Sequence, residues 1–543
     1  RLSAAAVNWE NLNPGSCYVS SLCYEPKVTE QILDEMLREQ VKVQLLRRTR
    51  VVHLERTGDR IVSALAYNFA TKETLRLLPR FVLDATEMGD LLPLAKVPYV
   101  VGSEAQAETK EPHAAPQPNT ACVQSFTYTF GVEHREGEDH RIAKPEGYER
   151  IRDSQPFTLR FNYPEEFGWR GMYTYSVFGD DAPIPNNMSP RPFFPWRRLL
   201  ATRNFEGNQV PRDLVLMNWP RQDYHDESVL DRTPSDTARI LQAAKRVAMS
   251  FLYWMQSDIP RDDGKGTGYP GMFLRKDVMG STDGLSKYPY IRESRRIRAQ
   301  GIVAEQDMNI DVEGESRARW YPDSVGTGFY MVDIHPCGAN ERGRMMMPKP
   351  FQIPMATMLP RGVKNFLPAA KSIGVTHLTN GAFRLHPIEW NIGESAAVIA
   401  SLALATGALP EAARVQAELA GIGVPLVWFD DLPTNHPAFA AIHLAAIRGL
   451  YPLDNRHLHA SPDSPMTRFE AAEAICVRNG ARLKGKAAAE HAVKQGWMAV
   501  DHRNWFHGDL PFYWTDWRVK HPPLRKTGPV TRAEFAARMV SAQ

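Results

Sequence analysis

Residues 365–407 read NFLPAAKSIGVTHLTNGAFRLHPIEWNIGESAAVIASLALATG, and their reading decides the fold. The stretch predicts a short apolar strand near Phe366–Leu367, a polar loop, and a helix opening near Asn391–Gly393. That helix carries Ala396, Ala397, Val398, Ile399, Leu402 and Leu404, with small residues on several sides. Such a helix admits a backbone or a flat ligand at close range, and its first N–H groups face whatever precedes it. Gly393 in its first turn removes the side chain where a ligand carbonyl or anion would sit. The preceding loop packs Asn380, Gly381, Arg384, His386 and Glu389 into a short span. The plainer reading of the same composition is a buried helix with a polar entry loop.

The block THLTNGAFRLHPIEWNIGESAA resembles the C-terminal flavin motif of the FAD-dependent oxidoreductases of the glutathione-reductase-like superfamily. One branch of that superfamily carries a similar THxTNGxxRLHPxEWNIGExAG block. The resemblance implies that Asn391, Ile392, Gly393, Glu394 and Ser395 lie at the flavin, with Arg384 and His386 beside it. Asn380 and Gly381 would belong to the same cofactor loop. Ala397 stands where the family has its second glycine, so a close helix approach would be looser here.

Working outward, the 543 residues are enough for two to four domains. A hydrophobic share of 43% with 23% charged residues is an ordinary globular balance. A net charge of +3 argues neither for nor against nucleic acid, but no Lys/Arg run offers a phosphate track, so nucleic acid is not an expected partner. No stretch approaches the roughly 20 apolar residues of a membrane span. The five cysteines (Cys17, Cys23, Cys122, Cys337, Cys476) form no CxxC and no metal-like spacing, so no metal is expected. Cys17 and Cys23 are near enough in sequence to pair or to remain two free thiols.

Toward the N-terminus, Thr29 is the expected cap of a helix carrying Ile32, Leu33, Met36 and Leu37. Strands are expected at Val41–Leu46, Val51–Arg56, Ile61–Asn68, Glu73–Pro79 and Phe81–Asp84, with a hairpin turn at Thr57-Gly58-Asp59. The last of these is a continuous apolar run, as in a parallel strand buried on both faces. This order is similar to the second half of a flavoprotein's dinucleotide-binding domain. The similarity implies adenine against the backbone near Thr49–Val51, and pyrophosphate or ribose near Asp84, Ala85 and Thr86, with Gly89 and Asp90 in the same turn. Glu87 replaces a glycine of the family's DATGxGDL, and Asp84 reads equally well as a plain helix cap. No G-x-G-x-x-G occurs; Gly264-Lys-Gly266-Thr-Gly268 fails the third spacing. The phosphate-binding β–α–β unit is therefore expected ahead of Arg1, with supply by another chain or loss of the phosphate site as the other readings.

Residues 101–287 are rich in proline and aromatics, with a strand-like alternation at Val123–Val132 and one clear helix at Asp236–Gln256. They read as a substrate domain inserted between the two halves of a flavin domain. Asn218-Trp219-Pro220 with Asp223-Tyr224 resembles a family NWPxxDY patch near the substrate cavity, while Trp219 alone reads better as core. Arg292, Glu293 and Arg296 lie in YPYIRESRRI, similar to a family YxREsRR signature. That implies an ion-pair network bracing the flavin loop, with Arg292 and Arg296 near the cofactor; a solvated charge run is the plainer reading. His335 belongs to a family DxH pair and is the expected acid or base, since imidazole titrates near working pH. A hydrogen-bonded core histidine is the alternative. His386 is a second candidate, and Arg384 would stabilise negative charge on reduced flavin.

Beyond residue 425, Thr467-Arg468-x-Glu470 and Thr531-Arg532-x-Glu534 are capping boxes in two segments that echo one another. They resemble S-layer homology repeats, which bind cell-wall polymers, although there are two copies and an aromatic-rich insertion from Trp505 to Trp517. A helical appendage packed on the enzyme is the alternative. The expected chain is thus an α/β protein. A Rossmann-like FAD domain, incomplete at its N-terminus, spans 1–100 and 288–425, with a mixed α+β substrate domain at 101–287 and a small helical repeat module at 426–543. The expected activity is FAD-dependent hydride transfer from a small organic, carbohydrate-like substrate, in a bacterial cell-envelope, periplasmic or extracellular setting. The expected partner is a cell-wall polymer or envelope protein. The rival expectation is a catalytically degenerate flavoprotein fold kept as a structural or wall-binding subunit.

Overall fold

The structure is a computed structural model; it describes residues 13–20, 22–163, 171–179, 192–338, 343–453, 457–499, 512 and 529–541. The Trp505–Trp517 insertion falls almost wholly outside them. Helix α1 (Pro26–Glu39) begins before Thr29: Pro26 at its first position has φ preset for a helix, and Glu25 precedes it. None of its residues is buried. The strand expected at Val41–Leu46 does not form. Val41 is 94% exposed, and among the described residues the segment has no neighbouring strand to satisfy its backbone. Strands β1 (Thr49–Thr57), β2 (Arg60–Asn68) and β3 (Thr74–Leu77) form an antiparallel sheet. The β1–β2 turn sits at Gly58, whose φ of 59° suits glycine. Strand β4 (Val82–Asp84) and helix α2 (Leu91–Leu94) follow.

The central region runs through β5 (Tyr99–Val100), α3 (Gln106–Thr109), β6 (Phe130–His134), α4 (Tyr148–Ser154), β7 (Arg160–Tyr163) and β8 (Gly171–Thr174). It continues through β9 (Arg198–Leu200), β10 (Leu214–Met217), α5 (Pro234–Ser257), β11 (Met272–Leu274) and α6 (Lys276–Met279). The expected strand at Val123–Val132 contracts to β6, with Phe126 and Thr127 making single bridges to Tyr224 and Tyr290. An antiparallel sheet, order β11-β6-β10-β9, packs with α5. The side-chain oxygen of Thr233 caps α5 by accepting from the Asp236 amide at 3.1 Å. Ile240, Ala244, Phe251, Leu252 and Met255 fill the core, as their 3–4 spacing demands. Trp219 lies in this core, 2% exposed among Tyr175, Phe193 and Trp196, with its indole N–H donating to Thr158 O.

The chain then returns to the first region through β12 (Arg296–Ile297), β13 (Ser324–Gly328), β14 (Val332–Ile334), β15 (Arg344–Met346), β16 (Phe351–Pro354) and β17 (Phe366–Pro368). Helices α7 (His377–Phe383), α8 (His386–Thr406) and α9 (Ala412–Gly421) follow. Strands β4 and β17 pair in parallel, Leu83 opposite Leu367, while β12 joins β5 and β13 joins β16 in antiparallel pairs. Leu83 is 37% exposed, so β4 is not buried on both faces among the described residues. The loop expected at 380–389 is replaced by two helices. Asn380 and Gly381 lie inside α7, which Thr376 caps by accepting from the Thr379 amide. Helix α8 opens at His386 rather than near Asn391, because Pro387 stands in its first turn.

Helices α10 (Phe439–Ile447), α11 (Arg468–Arg478), α12 (Gly485–Lys494) and α13 (Arg532–Ser541) form the C-terminal part. Both capping boxes are made: Thr467 with Glu470, and Thr531 with Glu534. One hydrophobic core runs without interruption from Val303 through α8 and α9 into α10–α13. Among the described residues no helix is long and apolar enough to cross a membrane. The described chain is mixed α and β up to β17 and helical beyond it.

Candidate active site

The loops after the two parallel strands lie together, as the strand ends of an α/β sheet require. The backbone joins them where Ala369 N donates to Asp84 O at 2.8 Å. Asp84 is fully buried; its carboxylate accepts from Thr86 N, Thr86 Oγ1 and Leu91 N, at 3.0, 2.6 and 3.1 Å. Asp84 therefore organises the turn and caps α2, and burial raises its pKa. Thr86 Oγ1 accepts from Asp90 N, and Gly89 takes a φ of 64°. Ala85 is exposed. Glu87 reaches across to Lys371, whose ammonium lies 2.7 Å from Glu87 and 3.5 Å from Glu389. Lys371 is 2% exposed, so the glycine-to-glutamate departure supplies the partner of a buried cation. Burial raises the Glu389 pKa against the lowering charge of Lys371.

The segment RESRR closes over these loops. Arg295 donates to Met88 O at 2.9 Å and pairs with Asp90 and Asp231. Arg296 pairs with Glu293, and with Glu104 at 2.8 Å. Glu293 also meets His377 Nδ1 at 2.9 Å. Burial would raise the Glu293 pKa, but the charges of His377 and Arg296 outweigh it and hold it low. Burial would lower the His377 pKa, but Glu293 pushes it up. The network expected for Arg292, Glu293 and Arg296 is thus a buried structural brace, not a solvated run. Arg292 points the other way, pairing with Asp223 at 3.2 Å and donating to Thr127 Oγ1 and Ser125 O.

His335 stands between two carboxylates. Its Nδ1 is 2.5 Å from Asp223, and its Nε2 is 3.4 Å from Asp333. Burial would raise the Asp223 carboxyl, but Arg292 and His335 pull it down to about 2. Asp333 is held low by His335 and Arg384, again against burial. Arg384 donates to Asp333 Oδ2 at 2.9 Å and to the Tyr290 hydroxyl at 3.0 Å. Tyr290 meets His386 edge-on, and His386 is exposed. The Cys122–Cys337 disulfide staples this region: Ser125 N donates to Pro336 O, and His335 N donates to Gln124 Oε1. Cys17 and Cys23 form the second disulfide, and Cys476 is free and buried.

Other expected site residues go elsewhere. Asn391 Oδ1 accepts from Thr327 N at 3.1 Å, and Ser395 Oγ donates to Val325 O at 2.7 Å, so both bind β13. Ile392 is fully buried core. A side chain at Gly381 would strike the Asp333 backbone at 2.8 Å, so this glycine serves α7–β14 packing. Gly393 and Glu394 are partly exposed, and Val51 is half-buried in β1, apart from the His335 cluster. Sequence reasoning missed Lys371 as a site member and quoted Asp223, Tyr290 and Asp333 only within motifs, without a role. The signals were a lone lysine in an apolar run and two acids next to arginine-rich and histidine-bearing segments.

The residues fit FAD. Several buried polar atoms have no partner: Asn380 Oδ1 is an unmet acceptor, and Gln124 Nε2, Arg292 Nε and Arg384 Nε are unmet donors. A ring that offers both N–H and C=O groups along its edge meets both needs. Comparison with curated proteins and with solved structures returned no match. A family model described as FAD dependent oxidoreductase matches residues 2–419, and the chain belongs to that FAD-dependent family.

Proposed function

We propose that the protein removes a hydride from a carbon of a small organic substrate, with His335 as the residue that handles the substrate proton. FAD, when bound, supplies the two-electron acceptor at its ring N5. The observation that carries this reading is the convergence of Asp223, His335, Asp333, Arg292 and Arg384 beside Tyr290. Asp223 holds the Nδ1 side of the imidazole, which leaves Nε2, at the looser contact, to meet the substrate. Arg384 and Arg292 favour negative charge developing nearby. Purified protein should be yellow, with a flavin band near ~450 nm that bleaches on substrate reduction. Substituting His335→Ala should slow flavin reduction at least ~100-fold while flavin affinity changes little. An unchanged reduction rate would leave His335 a structural residue.

The second reading is a flavoprotein fold without turnover. It draws support from Asn391 and Ser395 being spent on β13 and from Glu87 being spent on Lys371. A colourless protein that takes up no added FAD would favour it. In either reading, two disulfides favour an oxidising setting outside the cytoplasm. A cavity of about 640 Å³ lined by Trp320, Tyr451, His457, Lys484 and Arg532 is a candidate seat for an envelope polymer. If so, Trp320→Ala should lower retention on cell-wall material without unfolding the chain.

A further inference from the structure

One arginine at the site has no ion-pair partner among the described residues. Arg197 is half-buried and donates Nε to Asn218 O at 3.1 Å, and the Asn218 amide oxygen accepts from Arg292 at 3.5 Å. It therefore stands in the same group as Arg292 and Arg384, within electrostatic reach of Tyr290, Tyr330 and Asp333. Among the described residues no carboxylate lies within ion-pair distance of Arg197. Asp223 is occupied by Arg292, His335 and Thr127, and Asp333 by Arg384 and His335. A guanidinium left beside two others in a largely dry pocket is costly unless an anion joins it. The group is not sealed, since Tyr330 is half-buried and the Asp333 and His335 side chains keep 16% and 11% exposure.

We propose that Arg197 is the specificity residue of this site, anchoring a carboxylate of the substrate, so that the enzyme acts on an organic acid. The planar fork of arginine suits a carboxylate through two parallel N–H bonds. Tyr290 accepts from Arg384, which leaves its own O–H proton to donate. Burial and the nearby Asp333 raise the Tyr330 phenol to about 12, so it too remains a donor at neutral pH. The anchored carboxylate would sit on the Arg197–Tyr330 side and the reacting carbon toward His335. The choice of substrate rests on the oxidoreductase reading above; the anion site does not.

The full chain, with and without FAD, is titrated with sodium malonate against sodium chloride at equal ionic strength, and its unfolding midpoint is followed. Malonate should stabilise the wild type in a saturable way that chloride does not reproduce. Arg197→Leu should abolish the effect, and Arg197→Lys, which keeps the charge but not the fork, should weaken binding about 10-fold. The anchor is refuted if malonate matches chloride, or if Arg197→Leu binds as the wild type does. Should Arg197→Leu not fold, undiminished binding by Arg197→Lys refutes it equally. In the FAD-loaded protein malonate should perturb the visible band. If Arg197→Leu instead lowers the flavin potential and spares malonate binding, the charge serves the reduced ring and the proposal fails. A protein that binds malonate but no flavin would keep the anion site and overturn only the redox reading.

Discussion

Two residues at the site show what a buried charge does for this fold. Asp223 sits near 2 instead of its ordinary 3.8. A carboxyl depressed in the folded state contributes stability that is complete above its unfolded pKa and is lost as pH falls through its folded one. The window here is pH 4 down to 2, and the contribution is about 2 kcal/mol. Asp223→Asn should therefore flatten the acid limb of a stability–pH curve measured by urea unfolding, as well as lower the plateau by leaving Arg292 and His335 unpaired. Lys371 makes a complementary case. Lys371→Met should cost about 3 kcal/mol at neutral pH, because it leaves Glu389 buried without a cation. Since Glu389 already titrates high, that deficit should shrink as pH is lowered through its range, where the carboxyl protonates and needs no partner. A deficit independent of pH would mean that packing, not charge, explains the loss.

At the scale of elements, the contact between α8 and β13 positions the rest. Gly326 lies so close to the helix that an added Cβ would come within 1.7 Å of Asn391 Oδ1. Asn391 in turn supplies the acceptor for Thr327 N. Asn391→Ala should cost about 2 kcal/mol in equilibrium unfolding, since it orphans a buried amide. The same contact explains a failure of sequence reading. The motif NIGESAA was legible as a family signature, but its amide and hydroxyl could be assigned to a ligand or to a neighbouring strand with equal local logic. The direction each residue faces in the packed helix decides, and local sequence does not give it; the helix itself opens five residues before the expected Asn391, at His386. The hairpin at Gly58, helix α5 and both capping boxes were legible because each is set by residues within one or two turns of one another. The strand expected at Val41–Leu46 failed for the opposite reason: alternation alone makes no sheet without a neighbour to bond.

At the scale of the whole molecule, the Cys122–Cys337 bridge spans 215 residues and ties the central region to the segment just after β14, where His335 lies. Cys17–Cys23 spans only 6. By chain entropy the long bridge is worth about 5 kcal/mol and the short one about 2. Replacing Cys122 and Cys337 with serine should lower the thermal midpoint well beyond the same change at Cys17 and Cys23; equal losses would show that loop length is not what matters. The continuous core from Val303 to Met539 likewise packs the C-terminal helices onto the rest of the described chain. The sequence by itself determined the family, the cofactor and the capped and hairpinned local pieces, because contiguous residues carry those signals. Only the tertiary structure decided that Asp223 holds His335, that Glu87 answers Lys371 and that Cys122 finds Cys337. Those partners lie more than a hundred residues apart, and what brings them together is packing and burial, which no spacing along the chain records.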